Sequence, residues 1–460
     1  MPNSETALKT DYLGTADLRK LLWKLSVPAI ISQLVTLIYN IVDRVYIGHI
    51  EDVGGLAITG LGVCTPLTLI LSAFAQLICA GGAPIASSAL GRKEPEEAEK
   101  MAGSSLSMLI IVGAILTVLM HIFDTPLLML FGASSETLPY AEKYMNVYTF
   151  GTVMMLISTG MVSYIIAQGA TNISMLSICT GAVLNIILDP LFIWVFKMGI
   201  SGAALATVIS QTVSAVIVLI YLSGKGSAIR LRLKALRPDL KLVGSEIALG
   251  LSPFVMQITE CALSIAFNRS LLKYGGDVAV GAMTLFTSIN SIIFLPINGL
   301  CQGAQSITSY NYGAGNFDRV AANIKRLISY CVFFASFMWL LIMTVPSLLL
   351  NIFTNDEVIL SYALSHIRIF FAMTMMPGIQ CSCQFSFLAL KNAKVSLFLA
   401  LLRKVILLIP LIFILPCFIE AKDSAVLMAE PIADTIAATV TGTTFYLTYK
   451  NSIFAGKKTV

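Results

Sequence analysis

Apolar runs long enough to cross a lipid bilayer recur twelve times along this chain. That repetition limits its fold more than any other feature of the sequence. A spanning helix needs about 20 predominantly apolar residues. Such runs lie near 21–47, 55–81, 102–123, 138–168, 172–196, 200–223, 243–271, 278–303, 323–346, 358–389, 395–419 and 424–449. Within hydrocarbon only helices and closed barrels pair every backbone polar group, and continuous apolar runs of this length are helical. Charged residues make up 12% of the 460, half the roughly 25% of a soluble domain, so the chain has too little polar surface to coat itself in water. The fold class expected is an all-α integral membrane protein of twelve transmembrane helices. The first twenty residues are polar and carry no apolar core of a signal peptide, so the run from Leu21 reads as a retained helix.

Basic residues set the expected orientation. With the N-terminus cytoplasmic, the inside segments hold 21 of the 30 Lys and Arg, among them Lys9, Lys457 and Lys458. Both termini then lie inside, as an even number of spans requires. The basic loop from Lys225 to Lys241 divides the spans six and six, and the halves repeat. LSVP at Leu25–Pro28 returns as GLSP at Gly250–Pro253, VDR at Val42–Arg44 as FNR at Phe267–Arg269, and EDVGGLAI at Glu51–Ile58 as GDVAVGAM at Gly276–Met283, all 225 residues on. Later in each half the offset is 222. Each half has an even number of spans, so this is a parallel repeat about an axis along the membrane normal, with a site expected near mid-membrane. The expected organisation is a cytoplasmic segment 1–20, a six-helix lobe 21–223, a cytoplasmic loop 224–242, a second six-helix lobe 243–449 and a cytoplasmic tail 450–460.

Chemistry concentrates in GAVLNIILDPLFIW, Gly181–Trp194. Asn185 and Asp189 are four apart in an apolar helix and share one face. A carboxylate in hydrocarbon costs at least a few kcal/mol and marks a functional site by default, so this helix reads as half of an ion site in a transporter. The alternative is an Asp at a helix break before Pro190. The nine cysteines have no CxxC spacing and the three histidines do not cluster, so neither a disulfide or metal framework nor an enzyme is expected. The net charge of +5 carries no implication of nucleic-acid binding.

Four stretches, in this order and at this repeat offset, resemble the MATE family, the multidrug and toxic compound extrusion transporters, and most closely its MepA-like bacterial branch. They are Ser26–Gly48, Gly82–Lys100, Gly181–Ile193 and Gly303–Asn316. The resemblance implies a V-shaped pair of six-helix lobes exporting drug-like compounds, driven by sodium or protons. It also implies a cation site in the first lobe at Asp43, Asn185 and Asp189, joined by Thr207 and supported by Tyr39. For Asp43 the alternative is an interfacial acid paired with Arg44. Against it, Arg44 recurs as Arg269 whereas Asp43 becomes Asn268. The second half keeps the scaffold without the acids, so the ion site is expected to be one-sided. No cofactor or metal is implied beyond the coupling ion, Na⁺ or H⁺.

The second half has charges of its own. Glu260, near the centre of the seventh span, is open to three roles: binding a cationic substrate, coupling, or a structural pairing with Gln257 or an Arg. In a related branch a tenth-helix Asp completes a site with this Glu, and the tenth span here has no carboxylate. Arg403, beside Lys404, is expected to face the interior and pair with an acid. Glu260, Gln257 and Arg403 are placed at the substrate cavity. Glu430 and Asp434, also four apart, read as a wet face near the outer surface. The expected function is cation-coupled efflux of cationic or amphipathic organic compounds across the bacterial plasma membrane, through an apolar cavity with one or two acids. The rival is a flippase of lipid-linked glycan precursors, which needs a cationic cavity for phosphate. The expected partners are small organic molecules and membrane lipid; a monomer is plausible.

Overall fold

The computed structural model of the chain describes residues 10–50, 53–354 and 356–454. Lys9, Glu51, Asp52, Lys457 and Lys458, invoked above, lie outside the described residues. Among those described, twelve helical spans form two lobes. The first lobe holds α1 (Leu18–Gly48), α2 (Gly54–Gly91), α3 (Pro95–Leu130), α4 (Leu138–Phe150 with Thr152–Ala167), α5 (Thr171–Val195) and α6 (Ile200–Ser223). The second holds α7 and α8 in the run Leu240–Gly313, α9 (Phe317–Thr344), α10 (Glu357–Phe370 with Met376–Ala389), α11 (Ala393–Cys417) and α12 (Lys422–Tyr449). A straight 74-residue helix would be about 110 Å long, several times the bilayer core. Gly276, at φ 67°, reverses the chain and separates α7 from α8. Few other residues adopt that conformation without strain.

Length and apolar composition alone mark eight helices plus the bent pair α4 as able to cross a membrane, among the described residues. The Leu240–Gly313 run supplies two spans. Two other spans fail that test for readable reasons. α10 is split into 14-residue pieces by the turn at Phe371–Met375, and α12 carries Lys422, Asp423, Glu430 and Asp434. Both are nevertheless packed into the second lobe, α10 between α9 and α12. α4 bends by 62° at Gly151, where a side chain would collide with Val208 of α6.

The lobes meet through glycine. A Cβ on Gly250 of α7 would lie 1.8 Å from the Leu77 carbonyl oxygen of α2, and one on Gly81 would lie 2.0 Å from that of Glu246. Gly91 meets Tyr310 and Gly313 meets Ser88 in the same way, both at 2.0 Å, and Gly299 and Gly303 of α8 abut Ile30 and Ser26 of α1. With no hydrophobic drive between helices in lipid, small residues that allow backbones to touch are how such interfaces form. All these contacts fall in the half of the molecule where α1 begins and α12 ends, and there the lobes close the base of a V.

The segment before α1 reinforces that closure. Tyr12 donates to the Gly169 carbonyl of the first lobe at 2.9 Å, while Asn311 and Arg319 of the second lobe donate to the Leu13 carbonyl. The basic inter-lobe loop is likewise docked. The Gln168 side-chain carbonyl accepts from the Ala228 amide at 2.6 Å, and Arg232 pairs with Glu99 at 2.9 Å.

Candidate functional site

α5 holds Asn185 and Asp189 one turn apart on the face turned inward, 2% and 0% exposed. After Pro190 the helix widens into a π turn, Leu191–Val195, on which the start of α6 packs at Gly202. Such turns recur at functional sites. Asn185 Nδ2 donates to Asp189 Oδ1 at 3.2 Å and to Thr207 Oγ1 of α6 at 3.4 Å. From α1, Asp43 reaches the same place. It is buried, and its carboxyl lies against the Asp189 carboxyl, whereas the neighbouring Arg44 is exposed. Asp43 thus faces the interior rather than an interfacial partner. Tyr39, one turn before it, is half-buried and lines the adjoining cavity.

Three buried oxygens here have no hydrogen-bond donor: Asp43 Oδ1, Asn185 Oδ1 and Asp189 Oδ2. Orphaned acceptors in a buried site are costly and call for an explanation. Two carboxylates in contact also repel unless a proton or a metal cation lies between them. The donor set is all oxygen, which suits a hard cation and equally suits a proton. One further residue was not found by sequence reasoning. Tyr144 of α4 is buried beside Thr207 and Asp43, with its ring stacked on Tyr148 at 5.7 Å. The signal was there in YMNVY, two tyrosines one turn apart, on a helix whose one acid, Glu142, is engaged elsewhere, accepting from Thr125.

Beside this site lies a cavity of about 730 Å³ between the lobes, bordered by residues of both. Asn185 and Thr207 form part of its wall and join it to the carboxyl pair. By area the wall is mainly apolar with one acid, Glu260, as expected from sequence, but it is studded with polar side chains. Serine, threonine and asparagine supply most of these together with seven glutamines, and Met256 is the only methionine there among the described residues. These polar groups come a few at a time from eight helices, so no single stretch of sequence displays the wall.

Among the charged residues of the second lobe, Arg403 faces the interior and pairs with acids as expected, while the others depart from expectation. Arg403 is buried, with Nε donating to Asp434 Oδ1 at 2.6 Å and Nη2 to Glu430 Oε1 at 3.1 Å. Glu430 and Asp434 are therefore not a wet face. Their one-turn spacing presents both to α11, where a π turn at Leu402–Leu408 brings Arg403 against α12. Arg403 does not line the cavity. Glu260 does, and its partner is Lys404 rather than Gln257 or an Arg. Gln257 instead crosses to the first lobe, donating to Ser72 Oγ at 2.5 Å.

The MatE family model matches the chain twice, over residues 28–191 and 253–414, once in each lobe and 225 residues apart at its starts. The multidrug export protein MepA of Staphylococcus saprophyticus is 27% identical over 405 residues, 88% of either chain. MepA of Staphylococcus aureus strain N315 is 27% identical over 369 residues, 80% of this chain and 81% of that one. A solved outward-facing multidrug resistance MATE transporter of the MOP superfamily superposes with a TM-score of 0.90 at 22% identity, covering 98% of this chain and 99% of the other. A MOP superfamily transporter from Pyrococcus furiosus, described as having a binding pocket of reversed polarity, superposes at 0.89 and 23% identity over 98% and 99%. The chain is a multi-pass membrane protein that belongs to the MATE family of transporters.

Proposed function

We propose that the chain is a cation-coupled multidrug exporter of the bacterial plasma membrane, with both termini cytoplasmic. The observation that carries this reading is the Asp43–Asp189 carboxyl pair, which with Asn185 leaves three oxygens orphaned and is joined through Asn185 and Thr207 to the wall of the inter-lobe cavity. The staphylococcal relatives, named as multidrug export proteins, support the cargo class. With the lobes sealed by glycine contacts at the end where α1 begins and α12 finishes, the cavity serves the outward-open state. An inward-moving Na⁺ or H⁺ relieves the repulsion between the two carboxyl groups and draws α1 and α5 together. The N-lobe wall then changes shape and loosens the bound compound. A ligand shifts two states only by its differential affinity for them, and the carboxyl pair supplies that difference. A cationic or amphipathic cargo finds its opposite charge at Glu260, more than half exposed on the opposite wall.

The flippase reading lacks a phosphate site. Arg44 and Arg269 are exposed, Arg403 is held by two acids, and Lys404 is 4% exposed and bound to Glu260. Ethidium efflux from reconstituted vesicles, driven once by a sodium gradient and once by a proton gradient, tests the proposal. Uphill efflux under one gradient supports it. Efflux under neither, with correctly inserted protein, overturns it.

A further inference from the structure

The first-lobe site makes no use of the Glu260–Lys404 pair, whose two members sit very differently. The Lys404 side chain is 4% exposed, its Nζ donating to the Met256 carbonyl at 2.9 Å and to Glu260. Glu260 is 59% exposed and turned into the cavity. Apart from Lys404 itself, it is the only Asp, Glu, Lys or Arg on the cavity wall among the described residues. The pair is private to the second half. At the repeat offsets Glu260 corresponds to Val35 and Lys404 to Ala182, so the shared scaffold does not need it.

Behind Lys404 stands a second acid. Glu430 lies within electrostatic range of both Glu260 and Lys404, while its Oε1 accepts from Arg403. Glu260, Glu430 and Asp434 against Arg403 and Lys404 leave one acid in excess. A buried ammonium deprived of one carboxylate is costly, but here it has another to lean on.

Resting on the export reading above, we infer that Lys404 is a tethered competitor for the cargo's charge and so determines specificity. It occupies Glu260 in the empty cavity, and an organic cation binds by displacing it from Glu260 towards Glu430. A cation wins that exchange only if its body also gains from the amide- and hydroxyl-rich walls. Small inorganic ions have no such body and lose to Lys404, which keeps Glu260 free of them.

Equilibrium binding of two probes to the purified full chain tests this. One is tetraphenylphosphonium, a monocation; the other is triphenylphosphine oxide, a neutral molecule of similar build. Lys404→Met should tighten tetraphenylphosphonium binding about tenfold, the equivalent of one decade in Kd, and leave the neutral probe unchanged. In Glu260→Gln/Lys404→Met the gain should vanish. A purely structural ion pair would move both probes together, and that result overturns the inference. If Lys404→Met does not fold, Lys404→Arg replaces it. Its planar fork grips a carboxylate at two points, so cation binding should weaken, and unchanged or tighter binding overturns the inference. Should wild-type vesicles export ethidium while the Lys404 variants bind both probes as wild type does, the inference fails alone. If neither wild type nor Lys404→Met binds the cation, it falls together with the cationic-cargo reading.

Discussion

Gly250→Ala should open the sealed end of the molecule. The added methyl would sit 1.8 Å from the Leu77 carbonyl oxygen, with the Leu77 carbonyl carbon and Cα at 2.6 and 3.0 Å, all of them backbone atoms that cannot rotate away. To reach a C···O contact of about 3.3 Å, α7 must withdraw from α2 by about 1.5 Å. Overpacking of this kind costs about 1–3 kcal/mol, and the cost falls only on the state in which these helices touch. A bias of that size shifts a two-state ratio about 5- to 150-fold. Gly244, six residues earlier on the same helix, has nothing within 4 Å of its Cβ position, so Gly244→Ala is the control. Hydrogen exchange of the segments around 77–91 and 240–250 in the purified chain reads the outcome. Faster exchange is expected in Gly250→Ala and wild-type exchange in Gly244→Ala. Equal protection in the two variants would refute the idea that these backbone contacts form the closed gate.

Tyr144→Phe removes the hydroxyl beside Thr207 and Asp43. Losing this polar neighbour of the site, worth about 1 kcal/mol, should raise the cation concentration for half-maximal efflux about fivefold, measured as a titration in vesicles. Arg403→Met leaves Glu430 and Asp434 buried together without their counter-charge. Breaking such a pair costs about 3–5 kcal/mol, so thermal unfolding in detergent should occur at a markedly lower temperature, and adding Asp434→Asn should restore part of it. At the α10–α11 turn, burial and then the charge of Arg92 hold the Lys391 ammonium down to about 8 from 10.5. The folded chain binds that proton more weakly than the unfolded chain, so wild-type stability should rise as pH climbs from about 8 towards 10.5. Lys391→Met should lack that rise; an identical pH profile in a thermal-shift series would show that Lys391 is not its source.

The twelve spans and their division into halves were legible because apolar runs and repeated motifs are local properties of a sequence. Asn185 and Asp189 were legible as a shared face for the same reason. Asp43 and Thr207 came from family resemblance alone, since nothing local brings residue 43 to residue 189. Spacing also misled at Glu430 and Asp434, because a helical period tells which residues share a face and not where that face points. The direction was set by α11, whose π turn carries no sequence mark and sends Arg403 to α12 while its neighbour Lys404 goes to α7. Gln257 was placed beside Glu260 by proximity in sequence, yet one residue per helix decides such contacts and it reaches Ser72 in the other lobe. The glycine contacts at Gly81 and Gly250 were equally hidden, being a property of two helices 169 residues apart in the chain.

Coupling rests on Asp189, which is fully buried, accepts a hydrogen bond from Asn185, lies against the Asp43 carboxyl, and is left with one oxygen unpartnered. Asp189→Asn keeps the shape and removes the charge. In proteoliposomes with the driving cation gradient imposed, wild type should move ethidium against its own gradient. Asp189→Asn, inserted to the same level and binding ethidium in detergent, should show no gradient-driven transport. Uphill transport by Asp189→Asn at the wild-type rate would contradict a coupling role for the Asp43–Asp189 pair.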